Sequence, residues 1–253
     1  MKILILGGTA EARALAAALA ERGDVSVMLS LAGRTAEPVP QPVPVRRGGF
    51  GGPEGLANYL HDAGIDILID STHPYAAAIS GNAVEAARAA KVKLLALRRP
   101  AWPKRAGDNW TEVETVEDAV QAIGEAPRRV FLALGRKELQ PFAAAPRHFY
   151  LVRSVDPVDP PLAVPRATYI TERGPFTEAE DRTLLESHGI EIVVAKDSGG
   201  DATYGKIAAA RALGITMIML KRPSLPDVES VATVEDALAW LDHALTLSTA
   251  RGV

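Results

Sequence analysis

Short apolar segments alternate with amphipathic stretches along the whole chain, and this alternation restricts the fold more than any other feature. Nine segments are predicted as strands: Lys2–Leu6, Val25–Ser30, Ile65–Asp70, Lys93–Leu97, Arg129–Leu134, Tyr150–Ser154, Ala167–Thr171, Ile190–Ala195 and Thr216–Leu220. Seven are predicted as helices: Thr9–Glu21, Pro53–Ala63, Ala76–Ala90, Val116–Ile123, Glu178–His188, Gly205–Leu213 and Val234–Leu245. Such apolar strands, separated by helices, predict an α/β protein with mostly parallel sheets covered on both faces.

The chain also repeats itself in order. Residues 86–100 resemble residues 209–223, including a basic pair before a proline, and residues 113–119 resemble residues 231–237. Upstream of these, residues 64–68 resemble residues 189–193. We therefore expect two similar lobes, residues 1–126 and residues 127–253, with a ligand-binding cleft between them.

Composition excludes several classes of protein. The 253 residues carry a net charge of −3, which gives no electrostatic case for binding nucleic acid or an anionic membrane surface. Cysteine is absent, which excludes disulfides, thiolate nucleophiles and metal–sulfur sites, and the five histidines show no metal-ligand spacing. Without a long apolar run or a signal-peptide layout, a cytoplasmic protein is expected, with its oligomeric state open and a monomer as one reading.

A glycine turn follows the first predicted strand. Residues 2–6 lead directly into Gly7, Gly8 and Thr9, and an alanine-rich helix with Ala10 in its first turn comes next. Such a turn places backbone N–H groups and a helix N-terminus at the carboxyl edge of the sheet, where phosphate binds. It predicts a Rossmann-like lobe that binds a nucleotide. The full Gly-x-Gly-x-x-Gly pattern is incomplete, and doubly wound folds without a dinucleotide carry similar turns.

The next strand end bears on the choice of nucleotide. The second predicted strand ends at Ser30, followed by Gly33 and Arg34, with no carboxylate to bind the ribose 2′-hydroxyl of NAD. A hydroxyl and a guanidinium suit a 2′-phosphate, so NADPH is expected if a dinucleotide binds. Residues 46–52, Arg-Arg-Gly-Gly-Phe-Gly-Gly, are interpreted either as a cover over phosphates or as a mobile surface loop.

Residues 70–76, Asp-Ser-Thr-His-Pro-Tyr-Ala, place many polar side chains in the turn after the third predicted strand. In a doubly wound lobe this turn lies beside the glycine turn, so Thr72, His73, Pro74 and Tyr75 are expected at the nucleotide. The alternative reading makes Ser71 or Thr72 a helix cap and leaves His73 exposed.

Basic residues follow three predicted strands of the second lobe. These residues are Arg136, Arg173 and Lys196, with Ser198 close to the last. Loops after parallel strands meet at one sheet edge, so the pattern predicts a pocket for a ligand with several carboxylates. Glu172 and Asp197 are candidates to partner these cations or to donate protons.

Together these motifs resemble the precorrin-6A reductase family of cobalamin biosynthesis, over essentially the whole chain. The resemblance rests on residues 5–13 (Ile-Leu-Gly-Gly-Thr-x-Glu-x-Arg), the turn at 70–76, Glu-Arg-Gly-Pro-Phe at 172–176, Lys-Asp-Ser-Gly-Gly at 196–200 and Arg-Pro at 222–223. Asp197 departs from it, because asparagine is expected there in many relatives.

The resemblance implies reduction of precorrin-6A to precorrin-6B, with NADPH as the hydride donor and a small-molecule tetrapyrrole as the substrate. We expect Arg136, Arg173 and Lys196 to anchor the macrocycle, and we expect the proton to come from Lys196, His73 or Glu172, or from water. Three alternatives stay open at this point: a cobalt-containing substrate, another NADP-dependent reductase on the same scaffold, and a two-lobed binding protein without catalytic activity.

Overall fold

The computed structural model describes residues 1–33 and 39–250. The chain divides into two compact units: unit 1 consists of Met1–Pro100 with Pro223–Val253, and unit 2 consists of Ala101–Arg222. Each unit contains one six-stranded sheet, and every pair of neighbouring strands described in either sheet is parallel. The expected α/β class with parallel sheets is confirmed.

The strands are β1 (Lys2–Leu6), β2 (Ser26–Leu31), β3 (Val45–Arg47), β4 (Ile67–Asp70), β5 (Lys93–Leu97), β6 (Trp110–Val113), β7 (Arg129–Ala133), β8 (Phe149–Ser154), β9 (Ala167–Thr171), β10 (Ile192–Lys196), β11 (Thr216–Leu220) and β12 (Ser230–Val231). The α-helices are α1 (Ala10–Ala20), α2 (Pro53–Asp62), α3 (Ala77–Ala90), α4 (Val116–Ile123), α5 (Glu178–Ser187), α6 (Gly205–Leu213) and α7 (Val234–Ala250). The sheet of unit 1 has the order β12-β5-β4-β1-β2-β3, and that of unit 2 has the order β6-β11-β10-β7-β8-β9.

All nine predicted strands are present, and their ends lie within two residues of the predicted ones. Three strands of the structure were not predicted: β3, β6 and β12. Each of them lies at an edge of its sheet. Edge strands are partly solvated, so they lack the continuous apolar run that marks an interior strand.

The expected boundary at residue 126 is wrong. β6 and α4 precede that residue but belong to unit 2, where β6 pairs with β11. Conversely, β12 and α7 belong to unit 1, where β12 pairs with β5. The two halves of the repeat therefore exchange their last strand and helix. β5 of the first half pairs with β12 of the second, and β11 of the second half pairs with β6 of the first.

Unit 1 has one core on each face of its sheet. Ile3 and Ile5 of β1 point to the face that packs Leu15 of α1 and Leu241 of α7. The alternate residues of β1 point to the opposite face, where Leu4 packs with the apolar side of α2 and α3. This alternation is the period of two that a strand imposes on its side chains. α7 is therefore part of the core that supports β1.

Unit 2 buries His148 and Tyr150 at the amino ends of its strands. The Nδ1 atom of His148 accepts the backbone N–H of Arg128, just before β7, at 3.1 Å. Burial lowers the pKa of His148 and raises the pKa of Tyr150 to about 12, and the Tyr150 hydroxyl donates to the carbonyl of Ala145. These groups lie away from the carboxyl ends of the strands, so their role is structural.

Among the described residues, no helix combines the length and the apolar character that crossing a bilayer would require.

The exchange of strands predicts which fragments fold. A fragment of residues 101–222 should give one cooperative urea transition, because it contains β6, α4 and the sheet that they complete. A fragment of residues 127–253 should give none. It lacks the buried side chains of Val113, Ala119 and Ile123, whose burial contributes roughly 5 kcal/mol, comparable with the whole stability of a small domain. Circular dichroism during urea titration measures both, and equal cooperativity in the two fragments would contradict the exchange.

Candidate active site

The glycine turn after β1 leaves open space at the carboxyl edge of unit 1. Gly7 donates its N–H to the carbonyl of Ser30 at 2.9 Å, and a Cβ on Gly7 would lie 2.6 Å from Leu29 Cδ1. Gly8 differs, since its φ is +119° and a Cβ there would meet no heavy atom of the described chain within 4 Å. A bound group can therefore approach the backbone of Gly8 closely.

Thr9 joins the start of α1 to the turn after β4. Its hydroxyl oxygen accepts the N–H of Ala12 at 3.1 Å, which caps the helix, and its hydroxyl donates to the carbonyl of Ser71 at 2.9 Å. Ala10 is the first residue of α1. The two turns that were expected to contact a nucleotide are thus held together by one side chain.

The turn after β4 is organised by the buried carboxylate of Asp70. Its Oδ1 accepts the backbone N–H of Thr72 at 3.1 Å and the hydroxyl of Thr72 at 2.7 Å. His73 Nδ1 accepts the N–H of Tyr75 at 3.3 Å, and the two rings lie 5.6 Å apart, on either side of the buried Pro74. The reading of Ser71 or Thr72 as a helix cap is wrong, because α3 begins at Ala77 after a cap residue without a capping side chain.

The end of β2 carries no carboxylate. Ser30 is buried there, and Gly33 follows with a φ of +73°. Arg34, the residue expected to recognise a 2′-phosphate, lies outside the described residues.

Arg46 holds the glycine-rich loop that follows β3. Its guanidinium donates to the carbonyls of Gly48 and Gly49 at 2.6 and 2.8 Å and lies 3.8 Å from the ring centre of Phe50. The adjacent Arg47 is exposed. Arg46 therefore stabilises its own loop through these contacts.

In unit 2, the expected cations Arg136 and Lys196 are paired with carboxylates. Lys196, at the end of β10, forms an ion pair with Glu138, which follows the neighbouring strand β7. Arg136 lies 3.4 Å from Asp156 and also donates to the carbonyl of Pro157. These carboxylates reduce the positive charge that this sheet edge offers to an anionic ligand.

The loop of Glu172 and Arg173 begins three strands away from Lys196 but returns toward it. Both residues are exposed in the turn after β9, at the edge of the sheet. Further along this loop, Phe176 donates its N–H to the carbonyl of Ala202 at 3.0 Å, which joins it to the loop after β10. Ser198 lies in that second loop, half-buried.

A buried ion pair beneath the loop of residues 172–176 was missed by sequence reasoning. Arg153 of β8 and Asp181 of α5 are 2.5 Å apart, with side chains only 7% and 1% exposed. The guanidinium also lies 3.6 Å from the ring centre of Phe176. The one available signal was a charged residue inside the apolar segment 150–154.

Asp197 is also bound within unit 2. Its Oδ1 accepts the N–H of Trp102 at 3.0 Å, and its carbonyl accepts Nε of Arg222 at 2.9 Å. An asparagine oxygen could accept the first bond equally well, so the departure from the family pattern leaves this local structure possible.

Beside Asp197 lies a cavity of about 320 Å³ within unit 2. Two indoles and three cations contribute to its lining: Trp102, Trp110, Lys104, Lys221 and Arg222. A hydrogen bond to Glu114 raises the pKa of Lys221. Nothing in the sequence pattern indicated that the two tryptophans lie together.

The order of the six strands of unit 1, taken as β3-β2-β1-β4-β5-β12, is that of a Rossmann fold, with the glycine turn at its switch point. The fold and this turn define the class: a Rossmann-type α/β protein with the features of a nucleotide-dependent enzyme.

The comparisons with known proteins identify the family. The family model described as "Precorrin-6x reductase CbiJ/CobK" matches residues 2–242. A precorrin-6A reductase from Sinorhizobium sp is 54% identical over 96% of this chain and 94% of its own, and one from Rhodobacter capsulatus is 48% identical over 100% and 99%. A cobalt-precorrin-6A reductase from Priestia megaterium is 30% identical over 98% and 99%.

Among solved structures, "CobK precorrin-6A reductase" aligns with a TM-score of 0.92 at 47% identity, covering 96% of each chain. The chain belongs to the precorrin-6x reductase family and is an oxidoreductase that acts on a CH–CH bond in cobalamin biosynthesis. The expected resemblance is confirmed. The reading as a binding protein without activity is set aside, because the family is one of reductases.

A reductase of this family implies a nicotinamide cofactor. The glycine turn of unit 1 fits such a cofactor, because the open space over Gly8 admits a phosphate group near the start of α1.

Thr9 provides a test of the link between the two turns. Thr9→Val should lower the free energy of unfolding by about 1–2 kcal/mol, because it removes a helix cap and the bond to Ser71. Thr9→Ser retains both bonds and should stay within about 0.5 kcal/mol of the parent. Urea denaturation measures the difference, and a valine variant as stable as the serine variant would contradict the assignment.

Proposed function

We propose that this chain reduces precorrin-6A to precorrin-6B, taking the hydride from NADPH. The observation that carries the proposal is the open glycine turn of unit 1, joined by Thr9 to the turn of Thr72, in a chain of the precorrin-6x reductase family. The cleft expected between the units, the cytoplasmic location and the oligomeric state stay predictions.

The similarity pattern favours a metal-free substrate. The relatives named precorrin-6A reductases share clearly more of this sequence than the relative named a cobalt-precorrin-6A reductase. The cobalt-containing macrocycle is therefore an alternative substrate for the activity test.

The nucleotide is assigned to unit 1. Gly7, Gly8, Thr9 and Ala10 would hold the pyrophosphate, through backbone N–H groups and the N-terminus of α1. Ser30, Gly33 and Arg34 would bind the ribose 2′-phosphate at the end of β2. The turn of Thr72, His73, Pro74 and Tyr75 would contact the nicotinamide ribose and ring, since β4 is next to β1 on the nicotinamide side of the switch point.

The macrocycle is assigned to the loops of unit 2. Arg136, Arg173, Lys196 and Ser198 are the proposed contacts for its acetate and propionate groups. Because Arg136 and Lys196 already have carboxylate partners, each would be shared between a substrate carboxylate and the protein. This arrangement orients the cations and limits unselective binding of other anions.

The reaction adds a hydride and a proton across one double bond of the macrocycle. NADPH supplies the hydride to one atom and becomes NADP⁺, and a protein group or water supplies the proton to the other. Lys196, Glu172 and His73 are the candidates for the proton donor. Lys196 is favoured, since its side chain is held in place and only 16% exposed, whereas Glu172 is exposed.

The activity itself is tested by adding NADPH to the purified protein with precorrin-6A. We expect one NADPH oxidised per macrocycle reduced, followed by absorbance of both chromophores, and a rate with NADH at least about tenfold lower. Cobalt-precorrin-6A is measured in parallel. Oxidation of NADPH only with the cobalt form would overturn the choice of substrate, and oxidation with neither would overturn the proposed function.

Arg34 is expected to select the phosphorylated cofactor. Arg34→Ala should raise the Kd for NADPH about 10- to 100-fold, the loss expected for a charge-assisted contact, and leave the Kd for NADH unchanged. Fluorescence titration of both nucleotides measures the two constants, with Arg88→Ala, at an exposed position in the last turn of α3, as the control for loss of one positive charge. Equal losses for the two nucleotides in Arg34→Ala would contradict the assignment.

A further inference from the structure

Glu138 connects two strand ends at the carboxyl edge of unit 2. It ends a 3₁₀ turn, Arg136–Glu138, which directly follows β7 and Gly135. Its Oε2 accepts the N–H of Gly135 at 2.7 Å, and its Oε1 forms the ion pair with Nζ of Lys196 at the end of β10. Since β7 and β10 are hydrogen-bonded neighbours, the carboxylate bridges adjacent strand ends.

The Glu138 carboxylate lies against Gly135, the residue that precedes this turn. Gly135 has φ −72° and ψ 151°, a conformation that any amino acid adopts readily. A Cβ on Gly135 would lie 2.8 Å from Oε2 of Glu138. A side chain at position 135 would therefore displace the Glu138 carboxylate, although the backbone conformation itself would allow one.

Stability alone accounts poorly for this arrangement. The side chains of Glu138 and Lys196 are 30% and 16% exposed, and ion pairs open to solvent contribute little to folding. The ion pair restricts the flexible side chain of Lys196, so that its Nζ atom stays at one place at the carboxyl edge of the sheet. A fixed proton-bearing group at the carboxyl edge is suited to deliver the proton that the reduction consumes.

We propose that Glu138 is a positioning residue for the reduction, holding Lys196 as the cation that gives its proton to the macrocycle. The inference rests on the proposed function. The hydride of NADPH forms one new bond to the substrate, and an N–H bond of Lys196 breaks as its proton forms the other. The neutral amine then regains a proton from water, and Glu138 returns it to the same position.

The chain offers a matched control at the opposite edge of the same sheet. Glu191 has the same two-sided arrangement: one oxygen accepts the N–H of Arg129 at 2.9 Å, and the other pairs with Arg128 at 2.7 Å. This pair lies at the amino ends of β7 and β10. Glu191→Gln therefore removes a similarly arranged but more exposed ion pair without touching the carboxyl edge.

The test compares single-turnover reduction of precorrin-6A in the parent, Glu138→Gln and Glu191→Gln. Glu138→Gln should lower the rate about 10- to 100-fold, the effect of a misplaced proton donor, and leave NADPH affinity unchanged. It should also raise the solvent deuterium isotope effect, because proton delivery becomes slower than the hydride step. Glu191→Gln should match the parent in rate and isotope effect.

Two further variants separate positioning from folding. Gly135→Ala keeps the carboxylate but displaces it, so it should slow the reaction in the same direction as Glu138→Gln. Adding Glu138→Gln to Lys196→Met should cause no further loss, because a residue that acts through Lys196 has no effect once the amine is gone.

The outcomes distinguish this inference from the function beneath it. If the parent protein fails to oxidise NADPH with precorrin-6A, the proposed function fails first. If the parent is active and Glu138→Gln reduces the substrate at the parental rate, or if its loss adds fully to that of Lys196→Met, the role of Glu138 is overturned and the function stands.

Discussion

Unit 1 depends on the pairing of β5 with β12, without which β5 would leave its outer edge unpaired. Its partner strand, Ser230–Val231, comes from the far end of the sequence, and α7 follows it directly. α7 contributes Ala237, Leu241 and Ala244 to the same core as Ile3 and Ile5 of β1. The glycine turn that we assign to the nucleotide begins where β1 ends. Its geometry therefore depends on residues more than 200 positions away in the chain.

Much of this fold could be predicted from the sequence, because interior parallel strands must be apolar on both faces. Three of the four edge strands could not be predicted, β9 being the exception. In Trp110–Val113 only Val113 is buried, and a strand of this kind is hard to tell from a loop. The similarity of residues 113–119 to 231–237 was visible in the sequence. It shows that two segments share a structure, but it cannot show which of two equivalent sheets each one joins.

In the candidate site too, contacts between residues close in the sequence could be predicted, and contacts between distant residues could not. The turn of Asp70 and Thr72 is built from neighbours in the chain, so its polar character could be read directly. The carboxylates that pair with Arg136 and Lys196 could not be predicted. Glu138 is 58 residues from Lys196, and charge patterning by itself gives no indication that the two meet. Counting basic loops therefore overestimated the free positive charge in unit 2.

The strand registers show how the two similar units differ at the turn after their central strand. They place Gly135 at the position of Gly8 and Arg153 at the position of Ser30. Over Gly8 the space is open and α1 begins at once, whereas the Glu138 carboxylate lies against Gly135 and two 3₁₀ turns follow.

A carboxylate and the absence of an α-helix N-terminus between β7 and β8 both disfavour phosphate at this turn of unit 2. Beneath the neighbouring loop, Arg153 forms an ion pair with Asp181, and its guanidinium lies over the ring of Phe176. The duplicated fold thus keeps an open glycine turn, to which we assign the phosphates of the cofactor, in one unit. In the other unit the same position holds the Glu138 carboxylate, which pairs with Lys196 and to which we assign the positioning of that amine.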